Sequence, residues 1–226
     1  ICNAEDVMGE LASGDDGLEV EQVGEQAKEK HKYLCDYITI TRQVRNKFIG
    51  SGKAGANYID LFCGPGRSVI KTSGEYIDGG VVAAWRQSLE DEAPFTNIYI
   101  SDIDNVRCGL AYDRLQQLDA PVIKLCGNAI QAAAELVDLV DPFSLNFAFL
   151  DPYNIETLNF EIIKSLGRLK RIDLLIHLSQ MDLQRNLVQY VTENQTVLNS
   201  FVPGWLNHVD IQQEQSKIRE DIVKYW

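Results

Sequence analysis

The run Asp60-Leu61-Phe62-Cys63-Gly64-Pro65-Gly66 joins an acid to two closely spaced glycines directly after a short apolar stretch. Gly64 and Gly66 let the backbone turn tightly and approach a ligand, because neither carries a Cβ. Asp60 beside them is suited to accept hydrogen bonds from a cationic or amino-bearing group. A dinucleotide is a poor match, since its diphosphate wants helix-terminal N–H groups and an adjacent acid repels it. The dinucleotide fingerprint also needs a third glycine, and position 69 is Val69. S-adenosylmethionine (SAM) has no phosphate and carries an ammonium and a sulfonium, so an acid beside the turn suits it. The cofactor loop therefore includes Asp60, Phe62, Gly64 and Gly66.

Three further groups follow apolar runs. Asp102, with Asp104 close behind, is placed to accept both ribose hydroxyls. Asp102 is preferred as the ligand because it comes first, and Asp104 reads as a helix cap. Asn128, in Gly127-Asn128-Ala129, offers a donor and an acceptor to an adenine edge, and reads equally well as an N-cap. Asp151-Pro152-Tyr153-Asn154 gives an acid, a fixed turn and a flat stacking face. That set suits a planar acceptor bearing an amino group, with Asp151, Pro152 and Tyr153 as the catalytic candidates. The plainer alternative is a strand-to-loop turn with Tyr153 packed over the sheet edge.

Parallel strands must carry these groups to one edge. Apolar runs at 57–62, 97–101, 121–125, 146–150 and 173–178 predict strands, and the segments 81–89, 106–118, 129–140 and 158–169 predict helices between them. Strands apolar on both faces and alternating with helices imply a doubly wound, mostly parallel α/β sheet of Rossmann-like class. In such a sheet ligands bind beyond the carboxyl ends of the strands. A helical pattern over 25–49 precedes the first strand, its apolar stripe supplied by Tyr33, Leu34, Tyr37, Ile38, Ile40 and Val44. The acidic, glycine-bearing stretch 1–26 reads as a loose leader, 27–187 as the α/β domain, and 188–226 as a helical extension without strands.

Composition narrows the function classes. The 226 residues have room for a full core, with 45% hydrophobic residues. No apolar run approaches the ~18 residues of a membrane span, and the start shows no signal peptide. Five cysteines and three histidines show no metal-ligand spacing. The cysteines read as reduced thiols in a cytoplasmic protein. A formal net charge of -12 argues against holding a long duplex through its phosphates. Lys164, Arg168, Lys170 and Arg171 form the best basic patch, and a solvated helix end explains them as simply.

The glycine run resembles the first cofactor motif of class I SAM-dependent methyltransferases. Asp151-Pro152-Tyr153 is similar to the Asp-Pro-Pro-Tyr motif of amino-directed nucleic-acid methyltransferases, with one proline in place of two. Cytosine-5 chemistry is rejected, because it requires a Pro-Cys nucleophile where this chain has Asp151-Pro152. Lys30-His31-Lys32-Tyr33-Leu34, the 58–66 run and Phe149-Leu150-Asp151-Pro152-Tyr153 together resemble the three-Cys-motif partner (TcmP) family, over about residues 28–187. That resemblance implies a SAM-methyltransferase fold, a bacterial origin and a cysteine-motif protein as partner. The antiparallel strand pair that usually closes such folds is not found. The leading expectation is therefore a SAM-dependent methyltransferase acting on an amino group of a nucleic-acid or nucleotide-like substrate. Its rival is a SAM-fold partner subunit without turnover. A NAD-dependent oxidoreductase is disfavoured by the missing glycine and by Asp60.

Overall fold

The computed structural model describes residues 9–226. The chain forms two compact units, the first running to Asp151 and adding Leu166–His177, the second comprising Pro152–Ser165 and Leu178–Trp226.

The first unit is built on a five-stranded, wholly parallel sheet of β3 (Ala56–Asp60), β6 (Asn97–Ile100), β7 (Val122–Lys124), β8 (Leu145–Leu150) and β9 (Ile172–Ile176). Its order is β7-β6-β3-β8-β9, so the chain leaves β3 first toward one edge and then toward the other. Every residue of β3 is buried, as a central strand covered on both faces requires. On one face Tyr58, Ile98, Ile100, Phe147 and Phe149 pack with Leu34 and Ile38 of α1 (Gln26–Arg45), Val81 and Trp85 of α2 (Gly80–Glu90), and Cys108, Ala111 and Leu115 of α3 (Asn105–Gln117). Side chains alternate across a strand, and the alternate residues Ile59, Tyr99, Ala148 and Leu150 are also buried. Helix α4 (Ala129–Leu139) buries Ala129, Ala132, Ala133 and Leu136. The α/β class and parallel sheet are those expected from the sequence.

Three sequence expectations need correction. The stretch 1–26 is not loose where it is described: β1 (Leu11–Ser13) and β2 (Glu19–Val23) form an antiparallel hairpin, while residues 1–8 lie outside the described residues. Gly14-Asp15-Asp16-Gly17 is its turn, with Gly17 at φ +83. The acids there are paired rather than solvated, Asp15 with Arg67 at 2.6 Å and Asp16 with Arg114 at 2.7 Å. A second sheet follows, in which β2 runs parallel to β4 (Arg67–Ile70), itself antiparallel to β5 (Tyr76–Asp78). The stripe of α1 is also narrower than expected. Leu34 and Ile38 are buried and Tyr37 stacks on Phe147 at 4.5 Å, but Tyr33, Ile40 and Val44 are exposed.

The second unit is helical: α5 (Phe160–Leu166) begins in it, followed by α6 (Gln180–Thr192), α7 (Gln195–Phe201), a 3-10 turn (Trp205–Asn207) and α8 (Gln215–Tyr225). Leu183, Leu187, Leu198, Phe201, Trp205 and Ile222 are nearly inaccessible to solvent. The expected boundary at 187/188 falls inside the continuous helix α6; the break comes ten residues earlier, at His177/Leu178.

Candidate functional site

Asp60 ends the central strand at the point where the strand order reverses, the usual ligand position of open α/β sheets. It is 2% exposed. Its Oδ1 accepts from Phe62 N–H at 3.1 Å and its Oδ2 from the Tyr58 hydroxyl at 3.4 Å. Burial outweighs these hydrogen bonds and pushes the carboxyl up to about 8, helped by the nearby Asp151 and Asp102 charges. At pH 7 Asp60 is therefore mostly protonated, a donor as well as an acceptor.

The two loop glycines have different jobs. Gly64 sits at φ +55, and a Cβ there would meet only Glu21 Oε2, at 3.5 Å. Gly66, at φ +78, is hemmed in: a Cβ would lie 3.2 Å from Ala111 Cα and 3.3 Å from Val82. Its carbonyl accepts from Gly79 N–H at 2.8 Å, and a Cβ on Gly79 would collide with Gly66 backbone at 2.6 Å. Gly66 thus serves helix packing; Gly64 is also buried, but its Cβ position is bordered only by the Glu21 carboxylate. The loop leads into β4 rather than straight into a helix. The N-terminus of α2 comes later, and there Asp60 Oδ2 is 3.6 Å from the position of a Gly80 Cβ. The helix end that would attract a phosphate already has a carboxyl group beside it.

Asp102 does not present a free carboxylate to a ribose. Its Oδ2 accepts from Gly64 N–H and its Oδ1 from Asp104 N–H, each at 2.9 Å, and it is 5% exposed. It braces the loop. Asp104 caps α3, accepting from Val106 N–H at 2.8 Å and Arg107 N–H at 3.3 Å. Asn128 is likewise an N-cap, in a capping box with Gln131 on α4. Phe62 is half-buried and contributes its N–H to Asp60.

Asp151 lies just beyond β8 and is also engaged. Lys30 Nζ is 2.6 Å from its Oδ2 and His177 Nδ1 is 2.8 Å from its Oδ1. Burial would raise the Asp151 carboxyl, but His177 and Lys30 reverse this and hold it below its ordinary value. His31, next to Lys30 on α1, is held low by burial, opposed by the Asp151 charge, and is neutral at pH 7. Pro152 and Tyr153 open the second unit, Pro152 buried and Tyr153 half-buried.

Lys30, His177 and Glu21 were not marked as functional by sequence reasoning. Lys30 was noticed only as part of a family-like run. His177 directly follows β9, which ends at Ile176, whereas the expected strand over 173–178 takes it in as a strand residue and hides it. Glu21 carried no signal, since nothing local ties β2 to the loop.

Fold and geometry define an open, doubly wound α/β domain whose polar groups gather at the carboxyl ends of β3, β8 and β9. No family model matches the chain, and no curated protein matches it. Among the described residues no helix is long and apolar enough to cross a membrane, and no group of His, Cys, Asp and Glu is arranged to hold a metal ion.

Proposed function

We propose that this chain is a SAM-binding methyltransferase domain whose cofactor lies against Gly64 at the end of β3. The observation that carries this reading is the ring of carboxyl groups around Gly64. Asp60 sits below the loop, Asp102 pins Gly64 N–H, and Glu21 Oε2 borders the Gly64 Cβ position. The Glu21 carboxylate fits the ammonium of SAM, and the protonated Asp60 beside the loop offers a hydrogen bond rather than a charge. The Glu21 carboxylate on that side disfavours a diphosphate. Glu21 would hold the amino-acid end, while Asp60 and Asp102 would keep the loop in shape. When bound, SAM supplies an electrophilic methyl group; the chain contributes positioning of acceptor and methyl donor.

The amino-directed role expected for Asp151 needs a carboxylate that can take an acceptor's N–H, and Lys30 and His177 engage both of its oxygens. The acceptor is therefore assigned to the Asp151–His177 edge without Asp151 as its direct holder. A cytoplasmic partner subunit of the TcmP kind, acting with a cysteine-motif protein and without turnover, is the second reading. It is favoured by the same closed state of Asp151. Calorimetric titration tests the main reading. SAM and S-adenosylhomocysteine should bind one per chain and NAD should give no heat. NAD binding without SAM binding would overturn it. SAM binding without transfer to any acceptor favours the partner subunit.

A further inference from the structure

Three side chains from separate elements meet at the carboxyl edge of β8 and β9. The register sets Leu150 opposite Ile176, so Asp151 and His177 are the first residues beyond the paired ends. His177 N–H donates to Leu150 O at 2.9 Å, which fixes the base of the side chain. Nδ1 faces Asp151 Oδ1 at 2.8 Å; both atoms are sealed from solvent and neither has another hydrogen-bond partner. The contact lies off the hydrogen-bond line as it stands, and a rotation of the ring completes it. The His177 side chain is nevertheless 39% exposed. With Nδ1 buried, that exposure falls on the far edge of the ring, which carries Nε2.

A carboxylate behind Nδ1 fixes the imidazole with its proton on Nδ1 and its lone pair on Nε2. It also stabilises the imidazolium that forms when Nε2 takes a proton. This is the arrangement of a general base. Lys30 Nζ occupies the other carboxylate oxygen at 2.6 Å and places an ammonium at the same edge. A cation there opposes the positive charge that builds on an amine during methylation. The same cation favours negative charge on an acceptor oxygen.

We propose that His177 is the general base of this site and that its acceptor is an acidic hydroxyl, a phenol or enol oxygen. The proposal rests on the methyl-transfer reading above. The acceptor O–H bond breaks and its proton passes to His177 Nε2. An O–C bond forms to the methyl carbon of SAM, and the S–C bond breaks with its electron pair kept by sulfur. The imidazolium then releases its proton to solvent. His177 is the catalytic residue, and Asp151 and Lys30 are positioning residues.

The chain has three histidines, His31, His177 and His208, so nitrogen NMR of the histidine-labelled protein is readily assigned with His→Gln variants. Neutral His177 should carry its proton on Nδ1, and Asp151→Asn should abolish that preference. Tritium transfer from methyl-labelled SAM is then followed to phenol, catechol and 4-nitrophenol, with aniline and adenine as amine probes. Transfer to the hydroxyl probes should fall at least ~100-fold in His177→Gln, while the heat of SAM binding stays unchanged. A proton on Nε2 of neutral His177, transfer to amines alone, or an undiminished rate in His177→Gln would overturn the proposal. So would SAM binding with no hydroxyl probe methylated. A protein that binds no SAM loses the methyl-transfer reading itself, and calorimetry tells that failure from the others.

Discussion

A carboxyl group buried beside one N–H and one hydroxyl, as Asp60 is, keeps its proton to about pH 8. Its unfolded counterpart ionises near 3.8. Between those values the folded state binds the extra proton, so stability falls as pH rises from about 4 toward 8. Asp60→Asn keeps the acceptor for Phe62 and removes this cost. It should raise stability at pH 8 by on the order of 2 kcal/mol, with little gain at pH 4, as measured by denaturant unfolding at both pH values. An Asp60→Asn variant that is no more stable at pH 8 would contradict the raised carboxyl. The glycines give a second contrast. Gly66→Ala meets both a positive φ and Ala111, and should cost about 1–3 kcal/mol of stability. Gly64→Ala has more room and should reduce SAM affinity more than stability; thermal unfolding beside calorimetry separates the two. Asp102→Ala leaves Gly64 N–H buried without its acceptor and should lower stability by about 1–3 kcal/mol. Asp104→Ala should cost only a helix cap, about 1 kcal/mol. At this scale the loop was legible because an acid, two glycines and a preceding apolar strand are consecutive in the chain. The roles of Asp102 and Asp151 were not, because their partners Gly64, Lys30 and His177 are distant in sequence and only the folded sheet brings them together.

The five parallel strands were legible as elements because each is an apolar run ending near an acid, a glycine or a histidine. The β1–β2 hairpin and the β4–β5 pair were not. Their strands are three to five residues long, and their polar side chains are matched across the fold rather than along the chain. Arg114, 4% exposed, donates to Asp16 and to Pro65 O, tying the hairpin turn to the glycine loop. Glu21 adds a second tie through buried Arg107, at 3.3 Å. The Asp16 carboxyl is held below its ordinary value, first by its hydrogen bond with Arg114. Such a group stabilises the fold above its unfolded pKa, and that contribution is lost as pH falls through its lowered folded value. Acidification from pH 5 to pH 3 should therefore lower the hydrogen-exchange protection factors of residues 9–23, relative to the intrinsic rate at each pH, and Arg114→Gln should show the same loss already at pH 7. Protection that is unchanged in Arg114→Gln would mean that the hairpin is held by β2–β4 pairing alone.

For the whole molecule, the sheet order puts Asp60 and Asp151 on neighbouring strands and His177 one strand further. At about 4.8 Å per strand, the loop and His177 are about 10 Å apart at the backbone, a spacing that the proposed cofactor and acceptor would bridge. The net charge of -12 favours a small or neutral acceptor over a long nucleic acid at physiological salt. Whether the Gly64 loop binds SAM is decided by calorimetric titration of the intact chain with SAM, run beside the same titration of Gly64→Ala. The parent protein should bind one SAM per chain, micromolar or tighter, which is about 8 kcal/mol, and the variant should show a clear loss of that heat. Absence of any heat with SAM and S-adenosylhomocysteine, or equal binding by Gly64→Ala, would contradict binding at this loop.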